Sequence, residues 1–282
     1  MQINVIDTHC HLQDFNSFAA EVWRRAQHQG IQHCVIVGTN PNDAEKAAQL
    51  AGTLPGAYLA VGIHPVNAGK PGHTIGNLAK HLRNQKLVAL GETGLDYFRP
   101  SNPPKNLQIT GLREHLAAAK SNRLPVVIHT RPSSDRDTDV ARIHDDLVAV
   151  LKEEPGVLCI IHCFSGGPRE AKLLVEGGHY ISFAGNLTHS SPTGMRLRAA
   201  ARFLPLDHIL VETDAPYVRP KGRFGRNEPA FILDTLAELA RARSAPLREM
   251  AMVILENSKK AFNLKGLNQV QSKDCGTVTI LS

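Results

Sequence analysis

The 282-residue chain predicts a (β/α)8 TIM barrel of the α/β class, somewhat distorted and built as one domain. Three observations point there. Eight short apolar runs alternate with longer amphipathic segments. The runs are continuous in Val, Ile and Leu rather than alternating with polar residues, as expected of parallel strands buried on both faces. Eight such units fill about 260 residues, which suits a closed barrel better than an open doubly wound sheet.

Taken in order, a strand is expected at 3–7 and a helix near 18–29, then a strand at 33–38 and a helix near 41–53. The third unit pairs 57–62 with a helix near 75–84, and the fourth pairs 86–91 with 105–122. Strands at 125–129, 157–162, 179–184 and 208–212 are followed by helices near 138–154, 168–177, 192–203 and 227–243, with one more near 246–262. Pro41, Pro168 and Pro192 stand where a first helical turn tolerates proline, and Ser191 offers a cap. The segments 130–137 and 217–229 look like long loops at strand ends. Residues 1–264 are read as the barrel, and 265–282 as a tail of open role that could dock a protein partner.

Composition narrows the class. Hydrophobic residues make up 42% and charged residues 21%, an ordinary globular balance. No apolar run reaches the roughly 20 residues of a membrane span, and no signal peptide is visible, so a cytoplasmic protein is expected. The cysteines at 10, 34, 159, 163 and 275 lack CxxC spacing and read as free, mostly buried thiols. A formal charge of +6 suits a polyanionic partner such as nucleic acid.

The chemistry gathers at strand ends, where active sites of this fold are built. In Asp7-Thr8-His9-Cys10-His11, His9 and His11 project to one side of a strand and can grip one cation, while Cys10 turns away. Glu92 follows strand four, His129 strand five and His162 strand six; Asp214 follows strand eight. Six such groups exceed the needs of one tetrahedral zinc and suit two cations sharing a carboxylate. Glu92 is the natural bridge, with His9, His11 and Asp214 on one cation and His129 and His162 on the other. The metal stays open among magnesium, manganese and zinc. No phosphate-binding GxxxxGK[ST] loop or GxSxG elbow is present, so covalent catalysis is not indicated. The Ser165-Gly166-Gly167-Pro168 turn reads as ordinary helix capping.

These blocks, with Gly62-Ile63-His64-Pro65, Gly91-Glu92-Thr93-Gly94-Leu95-Asp96-Tyr97, His129-Thr130-Arg131, His162-Cys163-Phe164-Ser165-Gly166, Glu212-Thr213-Asp214-Ala215-Pro216 and Arg226-Asn227-Glu228-Pro229, resemble the TatD family of metal-dependent deoxyribonucleases in the amidohydrolase-like superfamily. The resemblance runs from about residue 4 to 263. It implies two divalent cations held by His9, His11, Glu92, His129, His162 and Asp214. It also implies hydrolysis of DNA phosphodiesters, often as a 3′-to-5′ exonuclease preferring single strands. Glu92 stands where related amidohydrolases carry a carboxylated lysine. The segment after Arg131 is longer than the family's usual entry into helix five.

The expected mechanism has Asp214 orient a water and take its proton, with Glu92 also catalytic. His64 would contact the phosphate, and Arg131 with the loop residues Arg219, Lys221, Arg223 and Arg226 would track the backbone. Two other readings stand beside this one: hydrolysis at a carbon centre (amide, lactone or aminoacyl ester), and a nuclease subunit active only within a multi-protein assembly such as a defence complex.

Overall fold

The computed structural model describes residues 3–264. Eight parallel strands follow one another in chain order around a single sheet. They are β1 (Val5–Cys10), β2 (Ile31–Gly38), β3 (Ala57–Val61), β4 (Leu87–Asp96), β5 (Val126–Arg131), β6 (Cys159–Ile161), β7 (Tyr180–Phe183) and β8 (Ile209–Val211). The helices are α1 (Ala19–His28), α2 (Pro41–Thr53), α3 (Lys105–Asn122), α4 (Asp137–Glu153), α5 (Pro168–Glu176), α6 (Pro192–Phe203), α7 (Ile232–Ala242) and α8 (Leu247–Ala261). The expected (β/α)8 barrel is thus present, and its distortion has a visible cause. No strand ladder joins β1 to β8; the seam is one bridge, Cys10 with Ala215, at the carboxyl end. Below it side chains replace the ladder: the Thr8 hydroxyl donates to the Val211 carbonyl (2.9 Å), and Asp7 Oδ1 accepts the Thr213 amide (2.9 Å).

Four elements differ from expectation. β1 runs on through the histidine motif to Cys10, and β4 extends to Asp96, because both are held by neighbouring strands beyond their apolar runs. The segment at 75–83 is a 3-10 helix, Ile75–Arg83, rather than an α-helix. α7 begins at Ile232, after a short 3-10 turn at Pro229–Phe231. Elsewhere capping chemistry sets the boundaries. The Asn40 side chain accepts the amides of Asn42 and Asp43 ahead of α2, and Ser191 accepts that of Gly194 ahead of α6. Pro41 and Pro192 occupy the tolerated first turns. At α5 the Glu170 carboxylate accepts the Gly167 amide (2.9 Å), so this helix start is satisfied from within.

Burial falls into two layers. Between strands and helices lies the larger cluster, with Trp23, Leu116, Leu147, Leu197, Leu236 and Ile254. Inside the barrel Ile6, Val35, Ala60, Ala89, Val127, Ile160 and Leu210 fill the lumen, and Phe262 and Leu264 close its floor. Cys10, Cys34 and Cys159 are buried free thiols and Cys163 is a partly exposed one. No described helix is long and apolar enough to cross a membrane. The tail at 265–282, whose role the sequence leaves open, lies outside the described residues.

Candidate active site

With the lumen packed below, the carboxyl rim is left for polar groups. β1 delivers His9 and, one residue past its end, His11; β4 carries Glu92 and Asp96 and β5 His129, while His162 follows β6 and Asp214 follows β8. Their atoms converge on Glu92. Its Oε2 lies 3.5 Å from His9 Nε2 and 3.8 Å from His11 Nε2. Its Oε1 lies 2.7 Å from His129 Nδ1 and 3.0 Å from His162 Nε2. Asp214 Oδ1 stands 3.4 Å from His11 Nε2 and 3.7 Å from His9 Nε2. The six expected residues therefore share one site. Cys10 faces away, its thiol directed at the Val35 carbonyl.

Hydrogen bonds on the far side of three rings assign their tautomers. His11 Nδ1 donates to the Val37 carbonyl (2.9 Å) and His162 Nδ1 to Glu212 Oε1 (3.0 Å). His129 Nε2 donates to Asp96 Oδ2 (3.3 Å). Each ring so turns its other nitrogen toward Glu92. His9 and His11 also face each other through Nε2 at 3.2 Å. Lone pairs converging on a buried carboxylate repel unless positive charge lies between them. The donor set accordingly fits divalent cations, and three-ligand groups capable of holding one include His9, His11 and Glu92, and Glu92, His129 and His162. The electrostatics likewise favour positive charge at this place, there as protons on the rings. Burial disfavours the ionised form of Glu92, yet His162 and His64 hold it well below the ordinary carboxylate range. Burial likewise opposes charge on His162, but Glu92 and Glu212 raise it well above normal. For His11 the Asp214 carboxylate overcomes burial and lifts the ring to about 9.

Asp214 sits in the left-handed backbone region at φ 55°. An aspartate tolerates that conformation at some cost, and such residues gather at functional sites. Its neighbours hold it there. The Asp214 amide donates to the His9 carbonyl (2.9 Å), and Thr213 is clamped by Asp7 through backbone and hydroxyl. Burial pushes Asp7 up to about 7 in spite of those two bonds.

The site opens into a cleft of about 1380 Å³ lined by, among others, His64, Lys70, Arg99, Arg131, Asn186 and Tyr217. His64 Nδ1 accepts the Val66 amide (3.2 Å), so its Nε2–H points to Glu92 Oε1 at 3.4 Å. Burial lowers the pKa of this ring. Arg131 lies in the cleft with its guanidinium 3.9 Å above the Phe98 ring. Arg223, expected as a substrate contact, does not line the cleft. Asp234 of α7 takes its guanidinium in two bonds (2.6 and 3.0 Å), and the group stacks 4.7 Å over Phe231.

Sequence reasoning passed over three residues. Asp96 and Glu212 lie inside motifs it quoted, and their strand-end positions were the available signal. Glu212 is fully buried and accepts from His162 Nδ1, the Cys163 amide (2.6 Å) and the Ser182 hydroxyl (2.6 Å). Asn186, after β7, lines the cleft with a buried carbonyl oxygen that has no partner; nothing in its sequence context marks it.

A βα barrel whose carboxyl rim gathers four imidazoles and two carboxylates over an open cleft is the architecture of a metal-dependent hydrolase. The comparisons make this specific. The family model described as TatD related DNase matches residues 6–263. An uncharacterized metal-dependent hydrolase of Buchnera aphidicola subsp. Baizongia pistaciae is 33% identical over 268 residues, covering 92% of this chain and 96% of its own. A relative named 3′-5′ ssDNA/RNA exonuclease TatD, from Erwinia tasmaniensis, is 30% identical over 253 residues, covering 86% and 93%. The crystal structure of YjjV, a TatD homologue from Escherichia coli, superimposes with a TM-score of 0.80 at 32% identity, covering 92% of this chain and 98% of that one. The chain belongs to the TatD family of metal-dependent hydrolases.

Proposed function

We propose that this enzyme hydrolyses phosphodiester bonds in single-stranded nucleic acid as a 3′-to-5′ exonuclease using two divalent cations. The observation that carries the reading is the division of Glu92, one oxygen facing His9 and His11 and the other facing His129 and His162. A carboxylate so divided suits a bridge between two cations, with Asp214 completing the first group. Bound cations would supply Lewis acidity and bring the pKa of water toward about 7.

The chain's own groups do the rest. Asp214, kept ionised against burial by the His11 bond and nearby imidazoles, orients the attacking water and takes its proton. His64, its Nδ1 taken by the Val66 amide and its Nε2 left to donate, holds a phosphoryl oxygen. Arg131, flattened on Phe98, binds a neighbouring phosphate without reading sequence. The cleft exceeds the roughly 300–1,000 Å³ of small-molecule sites, which favours a polymer over a lactone or dipeptide.

The test is digestion of 5′- and 3′-labelled single-stranded DNA and RNA with Mg²⁺, Mn²⁺ or Zn²⁺, beside a panel of lactones and dipeptides. Stepwise loss from the 3′ end by the parent, with Asp214→Asn slower by about 10²–10⁴-fold, is the expected result. Turnover of the carbon-centre panel alone, or parent-like digestion by Asp214→Asn, overturns it.

A further inference from the structure

Beyond the cleft, the loop that follows Asp214 carries Phe224, the most exposed large hydrophobic side chain of the described residues at 89%. Exposure alone means little, because single apolar residues are common on surfaces. Here the ring stands on a backbone held from both sides. Asn227, almost wholly buried, donates through Nδ2 to the Thr213 and Tyr217 carbonyls (2.7 and 2.5 Å). The Lys221 amide donates to Thr188 Oγ1 (2.7 Å), and His189 Nε2 donates to the Arg219 carbonyl (2.8 Å). Gly185 comes so close that a Cβ there would lie 2.2 Å from the Val218 carbonyl oxygen. Gly222 and Gly225, at φ 85° and 74°, turn the chain on either side of the ring.

The loop that carries the ring is basic, and one of its four cations has a carboxylate partner among the described residues. Arg223 is neutralised by Asp234. Three other cations have no carboxylate partner among the described residues: Lys221 Nζ bonds to Ser190 Oγ (2.7 Å), Arg226 bonds to the Asp14 carbonyl (3.1 Å) and stacks 4.6 Å over Phe15, and Arg219 bonds to the Gly225 carbonyl. They therefore keep their full charge toward a ligand. The loop begins at the cleft itself, where Tyr217 and Val218 form part of the wall.

We propose that Phe224 is a stacking platform for one base of the strand whose scissile end lies in the cleft, with Arg219, Lys221 and Arg226 holding the adjoining phosphates. The proposal rests on the nucleic-acid reading above. A ring on a held backbone has only two side-chain torsions to order on binding, and every base offers a π-face, so the contact is indifferent to sequence. The rival occupant of an exposed aromatic, a second protein surface, is a weaker match for three cations in the same short loop as the ring.

The experiment uses the metal-loaded enzyme and a phosphorothioate dT12 that resists hydrolysis. Phe224→Ala should raise Kd about tenfold, while hydrolysis of the small diester bis(p-nitrophenyl) phosphate, which cannot span to the loop, stays at the parent rate. Phe224→Trp should retain affinity and show emission quenched by dT12. Trp23, the chain's one native tryptophan, is buried, so the new signal is separable. An abasic 12-mer should bind the parent and the Ala variant alike. Parent affinity for dT12 in Phe224→Ala overturns the platform, as does an equal loss on the abasic strand. So does an oligomer that only the parent forms. If the parent neither binds nor cuts any oligonucleotide, the nuclease reading falls and takes this one with it; if it degrades unmodified dT12 and Phe224→Ala binds the phosphorothioate as tightly as the parent, the platform alone falls.

Discussion

Substituting Glu212 should separate metal affinity from folding. Its carboxylate accepts three buried donors, His162 Nδ1, the Cys163 amide and the Ser182 hydroxyl. Glu212→Ala orphans all three at roughly 1–3 kcal/mol each. The sum, about 3–9 kcal/mol, rivals the whole stability of a domain, so that variant is expected to be poorly folded. Glu212→Gln is the informative change. Its carbonyl oxygen can still accept from His162 and Cys163, and its amide can donate to Ser182 Oγ, whose own proton can turn to Thr8 Oγ1 at 3.3 Å. What disappears is one negative charge behind His162, which lowers the basicity of the ring at Nε2. Partners of this kind are worth about 10–100-fold in metal affinity, or roughly 1.4–2.8 kcal/mol. Competitive titration of Zn²⁺ and Mn²⁺ against a fluorescent chelator should show that loss while the melting temperature moves by only a few degrees. Parent affinity in Glu212→Gln would refute the idea that Glu212 tunes His162 as a ligand.

Other outcomes follow from the same geometry. A divalent cation at 100 times its Kd should stabilise the fold by about 2.7 kcal/mol, and EDTA should reverse the rise in melting temperature; no shift with Mg²⁺, Mn²⁺ or Zn²⁺ counts against the cation site. His64→Ala should lower kcat on oligonucleotides roughly tenfold or more with little change in metal affinity, whereas equal loss of both would make His64 a ligand. Acid should destabilise the protein through His115, whose pKa burial lowers from 6.5 to about 4. Above about 6.5 the ring is neutral folded or unfolded. As pH falls from there toward about 4 only the unfolded chain takes the proton, so up to about 3 kcal/mol is lost across that window. Melts at pH 7.5 and 5 should therefore differ less in His115→Gln than in the parent. His179, also lowered to about 4 by burial, adds to the same trend.

Legibility followed the physics of each feature. Continuous apolar strands and first-turn prolines are local signals, and the barrel and most helix boundaries follow from them. The ligand candidates were legible because a parallel barrel sends every strand end to one rim, so position after a strand stands in for position in space. Asp96 and Glu212 were missed because their partners, His129 and His162, lie on other strands, and only the inter-strand register brings them together. The Arg223 expectation ignored Asp234, whose approach depends on how the loop folds back on α7. The stretch at 75–83 shows helical periodicity, but period alone does not distinguish an α-helix from successive 3-10 turns.

The floor of the barrel has a consequence for biosynthesis. Ile6 of the first strand and Phe262, just beyond the last helix, belong to one buried cluster. A nascent chain still short of residue 262 has all eight strands yet leaves the bottom of its lumen open to water. Completion of the hydrophobic interior therefore waits for Phe262, and truncations that stop after β8 should be recovered as aggregates rather than as smaller working enzymes.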